Sequence, residues 1–131
     1  MNDDEFVNAF MTGTLPNTAF HHRDHVRLAW ILIRQQGVAS AVDAVTTGIK
    51  RFAHHHGHDL KYHETLTQFW VRIVGFHVEK HPSIADFEHF LNAFPQLLDK
   101  DLPYRHWRRE TMATPLARAQ WVEPDVRALP H

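Results

Sequence analysis

Apolar residues recur every three or four positions along most of the chain, and apolar and polar residues nowhere alternate over a sustained stretch. The first pattern is typical of amphipathic helices, whereas alternation would be typical of half-buried strands. The helical pattern predicts helices over residues 3–11, 22–36, 40–56, 60–80 and 83–94. The sequence therefore predicts an all-α protein.

Residues that cap or end helices lie at the borders of these segments. Ser40 and Ser83 are each followed three residues later by an aspartate, a spacing that favours both serines as helix N-caps. Glycines follow the first three segments, where helices commonly end: Gly13, Gly37 and Gly57. The connections between the first four helices are therefore short, and we expect consecutive helices to pack antiparallel.

Beyond the fifth segment the helical pattern weakens. Short helical pieces near residues 96–101 and 115–120 precede an irregular C-terminal tail. The 131 residues suffice for one domain with a substantial core, and neither a linker nor a repeat divides them. We therefore predict a single-domain helical bundle over residues 1–131, with about five main helices.

Charge and cysteine content exclude several classes of function. The formal net charge is -1 at pH 7, so the chain lacks the basic surface that is typical of nucleic-acid-binding proteins. No cysteine is present to form a disulfide framework or a thiolate metal ligand. The longest apolar run, LAWILI at 28–33, is far shorter than the ~20 residues of a membrane span, and the acidic start MNDDEF is unlike a signal peptide. We expect a cytoplasmic protein with neither a nucleic-acid nor a membrane partner.

Histidine is the unusual component of this sequence, with 13 residues. Projected at about 100° per residue, His22 and His25 share the apolar stripe of the second predicted helix. His56 falls on the apolar face of the third helix, and His63 on the inner side of the fourth. Because consecutive helices are expected to be antiparallel, these four histidines should gather at one end of the bundle. His77 belongs to the opposite end, about 21 Å farther along the fourth helix.

Such a histidine cluster has three interpretations. In the first, His22, His25 and His63 are ligands of a zinc or iron ion, and His56 is a fourth ligand or a supporting neighbour. In the second, the imidazoles line a pocket for a small polar ligand and act as hydrogen-bonding groups or as a general base. In the third, each histidine is a core residue that is hydrogen-bonded to the backbone at a helix end, with no ligand.

The segment KYHETLTQFW, residues 61–70, adds polar groups at the same end of the bundle. Four of its side chains, together with His56, are candidate ligand-binding residues: Lys61, Tyr62, Thr65 and Trp70. Glu64 is the candidate catalytic residue, beside water or oxygen activated by a metal ion. Its projection away from Leu66, which lies on the inward stripe, counts against a direct contact between Glu64 and the metal.

The order of these segments resembles that of a group of small uncharacterised bacterial proteins. Members of that group carry a TLP turn, then H-x-x-H at the start of a helix, then YHET-x-T about 40 residues later. In this chain the corresponding residues are 14–16, His22 with His25, and 62–65 with Thr67. The resemblance covers about the first 80 residues of the 131. It implies that the two histidine segments are the signature of the group, and it implies no particular activity.

These observations predict a histidine-lined site for a metal ion or a small ligand at one end of the helical bundle. With a metal bound, the protein would be a metal-dependent enzyme that activates water or oxygen. The alternative is a non-catalytic module, acting as a homodimer or as a partner of another protein, whose histidines hydrogen-bond within the core. The contacts that each imidazole makes distinguish the two hypotheses.

Overall fold

The computed structural model describes residues 1–131 and contains helices and turns but no strand, which confirms the predicted all-α class. Its α-helices are Asp3–Met11 (α1), His22–Gln36 (α2), Val38–His55 (α3), Glu64–Lys80 (α4), Phe87–Ala93 (α5), Arg109–Met112 (α6) and Pro115–Ala119 (α7). Short 3₁₀ turns lie between them, at Asn17–Ala19, Asp59–Lys61, Pro95–Leu98 and Leu102–Arg105. α1 and α2 begin and end at the predicted residues. Not one of the helices combines the length and the apolar character needed to span a bilayer.

α2 lies at the centre of the bundle and is buried on every side over its middle turns. Val26 and all six residues of 28–33 are buried. The sequence pattern predicted a single inward stripe, because a pattern along one helix does not show how many neighbours surround it. α2 packs against α3 and α4, and the turn Pro95–Leu98 lies against it as well. A helix that is apolar all round must be enclosed in this way.

α2 and α3 are separated by a single residue, Gly37. Its φ of 84° lies in the left-handed region, which glycine adopts without a steric penalty, and its N–H donates to the Ile33 carbonyl oxygen at 2.8 Å. Because the chain turns within one residue, α3 begins at once at Val38. The prediction of Ser40 as the N-cap of this helix is therefore wrong. α3 packs back along α2 from this corner.

α4 begins later than the predicted residue 60. The turn Asp59–Lys61 and the extended conformation of Tyr62, with ψ 139°, come before it. The N-cap is His63, whose Nδ1 accepts the N–H of Leu66 at 3.1 Å. An imidazole thus takes the role that a serine or aspartate side chain usually has, and α4 starts at Glu64.

α5 also begins later than predicted, at Phe87. The residue that caps it is Asp86, whose carboxylate accepts the N–H of His89 at 3.0 Å, and not Ser83. The aspartate expected to be the partner in a capping box is itself the cap. α5 then packs on α2, with the rings of Phe87 and Trp30 5.5 Å apart between centroids.

The C-terminal third contains short helices and an irregular tail, as predicted, and buried polar contacts hold it to the bundle. Thr65 in the first turn of α4 is fully buried, and its hydroxyl oxygen lies 2.8 Å from the carbonyl oxygens of Ala117 and Gln120. The buried Trp107 indole donates to the Val122 carbonyl oxygen at 3.1 Å. The Thr65 hydroxyl thus fastens the tail, and its predicted role in ligand binding stays a prediction that these contacts do not support.

We expect Thr65→Val to lower the free energy of unfolding by about 1–3 kcal/mol, because buried carbonyl groups lose their donor. Amide hydrogen exchange should accelerate more over residues 117–122 than in α2. Urea unfolding and amide exchange measure the two effects. Thr47→Val is the matched control, since Thr47 is exposed on α3. Equal losses in the two variants would contradict the role given to the Thr65 hydroxyl.

Candidate ligand-binding pocket

The histidine end of the bundle contains a cavity of about 230 Å³. Six polar residues line it: His22, His25, Lys61, Tyr62, His63 and Thr67. Six apolar residues complete its wall: Ala29, Val45, Ile49, Leu66, Trp70 and Val71. The structure thus brings the three predicted metal ligands together with three of the predicted ligand-binding residues.

The position of the cavity follows from the directions of the helices. α2 and α4 begin side by side, and the cavity between their first turns is closed by Val45 and Ile49 from the middle of α3. The residues that open these two helices are polar, whereas the turns that follow are apolar. The cavity therefore has a polar mouth and an apolar interior. Thr67 was not identified as a candidate from the sequence, although it belongs to the YHET-x-T segment.

His22 is held by the backbone of the C-terminal third. Its Nε2 donates to the carbonyl oxygen of Leu97 at 2.9 Å, which leaves Nδ1 as an acceptor. Its ring meets the Trp70 indole edge-on, with the centroids 4.3 Å apart. Burial lowers the pKa of His22, and the Lys100 ammonium adds to this effect, although the hydrogen bond to Leu97 opposes it. The imidazole is therefore neutral at physiological pH.

His63 is occupied through both of its ring nitrogens. Nδ1 caps α4, and Nε2 donates to the carbonyl oxygen of Met112 at 2.7 Å. The side chain is buried, and burial lowers its pKa. His63 can ligate a metal ion only by giving up one of these two bonds. Its contacts are those of a core histidine at a helix end, which the third interpretation described.

His25 differs from its two neighbours because neither of its ring nitrogens forms a hydrogen bond within the chain. One face of the ring stacks on Phe20, with the centroids 4.1 Å apart. Burial lowers the pKa of His25 to about 4, and the nearby His22 contributes to the shift. At physiological pH the ring is neutral, with one N–H donor and one acceptor nitrogen that have no partner in the protein.

The three histidines are not arranged as a metal centre. No group of three or more His, Asp or Glu side chains in the chain could hold a metal ion. His63 is engaged at both nitrogens. Of the three histidines, only Nδ1 of His22 and the two ring nitrogens of His25 are therefore free to bind a metal ion. The predicted zinc or iron site therefore stays a prediction that this geometry does not favour.

Two further candidates lie outside the cavity lining. His56 follows α3 and packs against Phe52, with the ring centroids 4.4 Å apart, and its Nε2 is buried without a hydrogen-bond partner. Glu64 accepts the Tyr62 hydroxyl at 2.7 Å through one carboxylate oxygen and the Gln68 amide at 2.6 Å through the other. Glu64 therefore positions Tyr62, and its predicted catalytic role has no contact with the cavity to support it.

Tyr62 remains a protonated phenol in this setting. Burial raises its pKa, and the hydrogen bond and the negative charge of Glu64 raise it further. Its proton points to Glu64, so the oxygen lone pairs are what the phenol can offer to a ligand.

The arrangement is better suited to binding than to proton transfer. A general base works best when its pKa is close to the operating pH, whereas the pKa of His25 is about 4. A neutral imidazole of this kind is a weak base but a good hydrogen-bonding group. The cavity volume of about 230 Å³ equals roughly seven or eight water molecules, which corresponds to a small organic molecule.

We expect His63→Ala to lower the free energy of unfolding by about 2–3 kcal/mol. The variant loses the cap of α4, which contributes about 1 kcal/mol, and leaves the buried carbonyl group of Met112 without a donor. Urea unfolding measures the loss. His89→Ala serves as control, since His89 is exposed on α5. A loss below about 0.5 kcal/mol, the range of ordinary surface substitutions, would contradict this structural role.

Acid should destabilise the protein through the same histidines. Burial holds the pKa of His22, His25 and His63 below the 6.5 of an exposed imidazole, so the unfolded chain binds more protons than the folded one below pH 6.5. The contribution of these neutral imidazoles to the free energy of unfolding should be fully present above pH 6.5 and should fall toward pH 4. His25 alone accounts for a loss of about 3 kcal/mol.

Urea unfolding at a series of pH values between 7.5 and 4.5 measures this dependence. His25→Gln should reduce its slope by about one proton, whereas His89→Gln should leave the slope unchanged. An unfolding free energy that stays flat between pH 6.5 and 4.5 would show that these imidazoles are not held neutral by burial.

Comparison with known proteins identifies no relative of this chain. The chain matches no protein-family model, no curated protein and no solved structure. The resemblance to small bacterial proteins with TLP, H-x-x-H and YHET-x-T segments therefore stays a prediction. Both histidine segments on which it depends contribute residues to the cavity.

Proposed function

We propose that this chain binds a small polar organic molecule in the cavity at the start of α2 and α4. The observation that carries the proposal is the state of His25, a neutral imidazole that lines the cavity and whose two ring nitrogens have no hydrogen-bond partner in the chain. Solvent reaches these nitrogens, which are not among the buried unpaired polar atoms of the chain, so water pairs with them when the cavity is empty. A molecule that replaces this water and offers matching hydrogen-bonding groups keeps both nitrogens paired.

The cavity wall offers such a molecule two kinds of contact. The Trp70 indole and Leu66 form an apolar surface on which a ring or a short carbon chain can lie. His25 offers one donor and one acceptor, and His22 offers the acceptor Nδ1. The His22 ring is fixed by Leu97 and that of His25 by stacking on Phe20, so little side-chain entropy is lost when a ligand binds.

The other hypotheses have less support from the contacts. Core hydrogen bonding accounts for His63 and for Nε2 of His22, whereas His25 forms no hydrogen bond within the chain. A metal-dependent enzyme needs protein ligands beyond the two imidazoles that have free nitrogens, and no third group stands beside them. The homodimer and the protein partner stay predictions.

The test is a titration of the full chain with two short series of compounds: benzoate, benzamide, benzyl alcohol and benzylamine, and the corresponding hexyl compounds. Binding is followed through the imidazole resonances of His25 and the indole resonance of Trp70. We expect at least one compound to shift both. His25→Phe retains a ring against Phe20 but removes both nitrogens, and it should weaken that compound about tenfold, the effect of one good hydrogen bond.

His89→Phe is the matched control and should bind that compound as the unmodified chain does, because His89 is exposed on α5 away from the cavity. The proposal fails if no compound shifts the two resonances. It also fails if the His25→Phe variant, shown to be folded by its circular dichroism, binds as tightly as the unmodified chain.

A further inference from the structure

A second cavity, of about 200 Å³, adjoins the first. The two share four lining residues: His25, Ile49, Lys61 and Tyr62. We call the first cavity, with Trp70 in its wall, the inner lobe, and the second, with Phe20 and Phe52 in its wall, the outer lobe. The four common residues lie between the two lobes, so the lobes are adjacent and His25 lies at their junction; we call the two lobes together the cleft.

The charges that line this cleft are of one sign. Neither lobe is lined by an aspartate or a glutamate. Lys61 lines both lobes, and its ammonium group takes part in no ion pair or hydrogen bond within the chain. A negatively charged ligand therefore meets one free cation and no competing carboxylate at the junction.

The charged groups near the junction also make it positive. The Lys100 ammonium lowers the pKa of both His22 and His25, as a nearby positive charge does. The carboxylate of Asp24, which has the opposite effect on His25, accepts the N–H of His21 at 2.9 Å and is held at the start of α2. The carboxylate of Glu64 is held by Tyr62 and Gln68, as described above.

We propose that the ligand of this cleft is a small monocarboxylate with an apolar body. This inference rests on the proposed function and specifies its substrate class. The body packs against Trp70 and Leu66 in the inner lobe, and the carboxylate lies at the junction, where it accepts hydrogen bonds from the His25 N–H and the Lys61 ammonium. A carboxylate only accepts, so it matches these two donors, whereas an amine would bring a second positive charge beside Lys61.

Calorimetric titration of the full chain at low ionic strength tests the carboxylate directly, with benzoate against benzamide and hexanoate against hexanamide. Each pair keeps the apolar body and replaces the carboxylate by a neutral amide, which removes the charge and exchanges one acceptor oxygen for an NH2 donor. We expect each acid to bind about tenfold more tightly than its amide, the difference between a hydrogen bond to a charged group and one to a neutral group.

Lys61→Met should weaken benzoate about threefold to tenfold and leave benzamide unchanged, because methionine keeps most of the apolar stem of lysine. Lys80→Met is the matched control, since Lys80 lies at the opposite end of α4, outside both lobes, and it should bind both compounds as the unmodified chain does.

The outcomes separate the two proposals. If the amides, alcohols or amines bind as tightly as the acids, or if Lys61→Met binds benzoate unchanged, the carboxylate is the wrong ligand class although the cavity binds small molecules. If no compound of either series binds, the proposed function itself fails and the inference fails with it.

Discussion

The burial of α2 on every side is the constraint from which the rest of the structure follows. A helix with no polar face over its middle turns must be covered all round, and this sets α3 and α4 along it and brings α5 and the Pro95–Leu98 turn against it. The inward polar groups of α2 are then confined to its first turn, at His22 and His25. The cavity forms at this end because polar side chains there leave the apolar packing incomplete.

The three histidines of the cavity share a residue type and a location but differ in what satisfies them. His63 is paired at both nitrogens and stabilises the start of α4. His22 is paired at one nitrogen, which fixes its ring against Trp70. His25 is held by stacking alone. The histidine with both nitrogens paired stabilises the fold, whereas the histidine with neither nitrogen paired is free to bind a ligand.

Sequence periodicity was sufficient to predict the helices and the end of the bundle at which the histidines meet. It did not reveal the hydrogen bonds of Thr65 and His63, for a shared physical reason. Their hydrogen-bond partners are backbone carbonyls of residues 112–120, in the irregular C-terminal third, and no periodic pattern indicates where such a segment returns to the bundle. The same holds for the carbonyl of Leu97 that fixes His22. The errors at the helix starts came from local chemistry, since an imidazole cap and a one-residue glycine corner are both uncommon.

The parallel start of α2 and α4 gives the cleft an electric field that no side chain has to supply. Each helix carries a macrodipole whose N-terminal end corresponds to roughly half a positive elementary charge, and residues from the first turns of both helices line the cavity. The field disfavours an imidazolium ion in the same direction as burial does, and it attracts an electron-rich group. Part of the preference for ligand charge is therefore built into the backbone, and a homologue without the lysine at position 61 would retain that part.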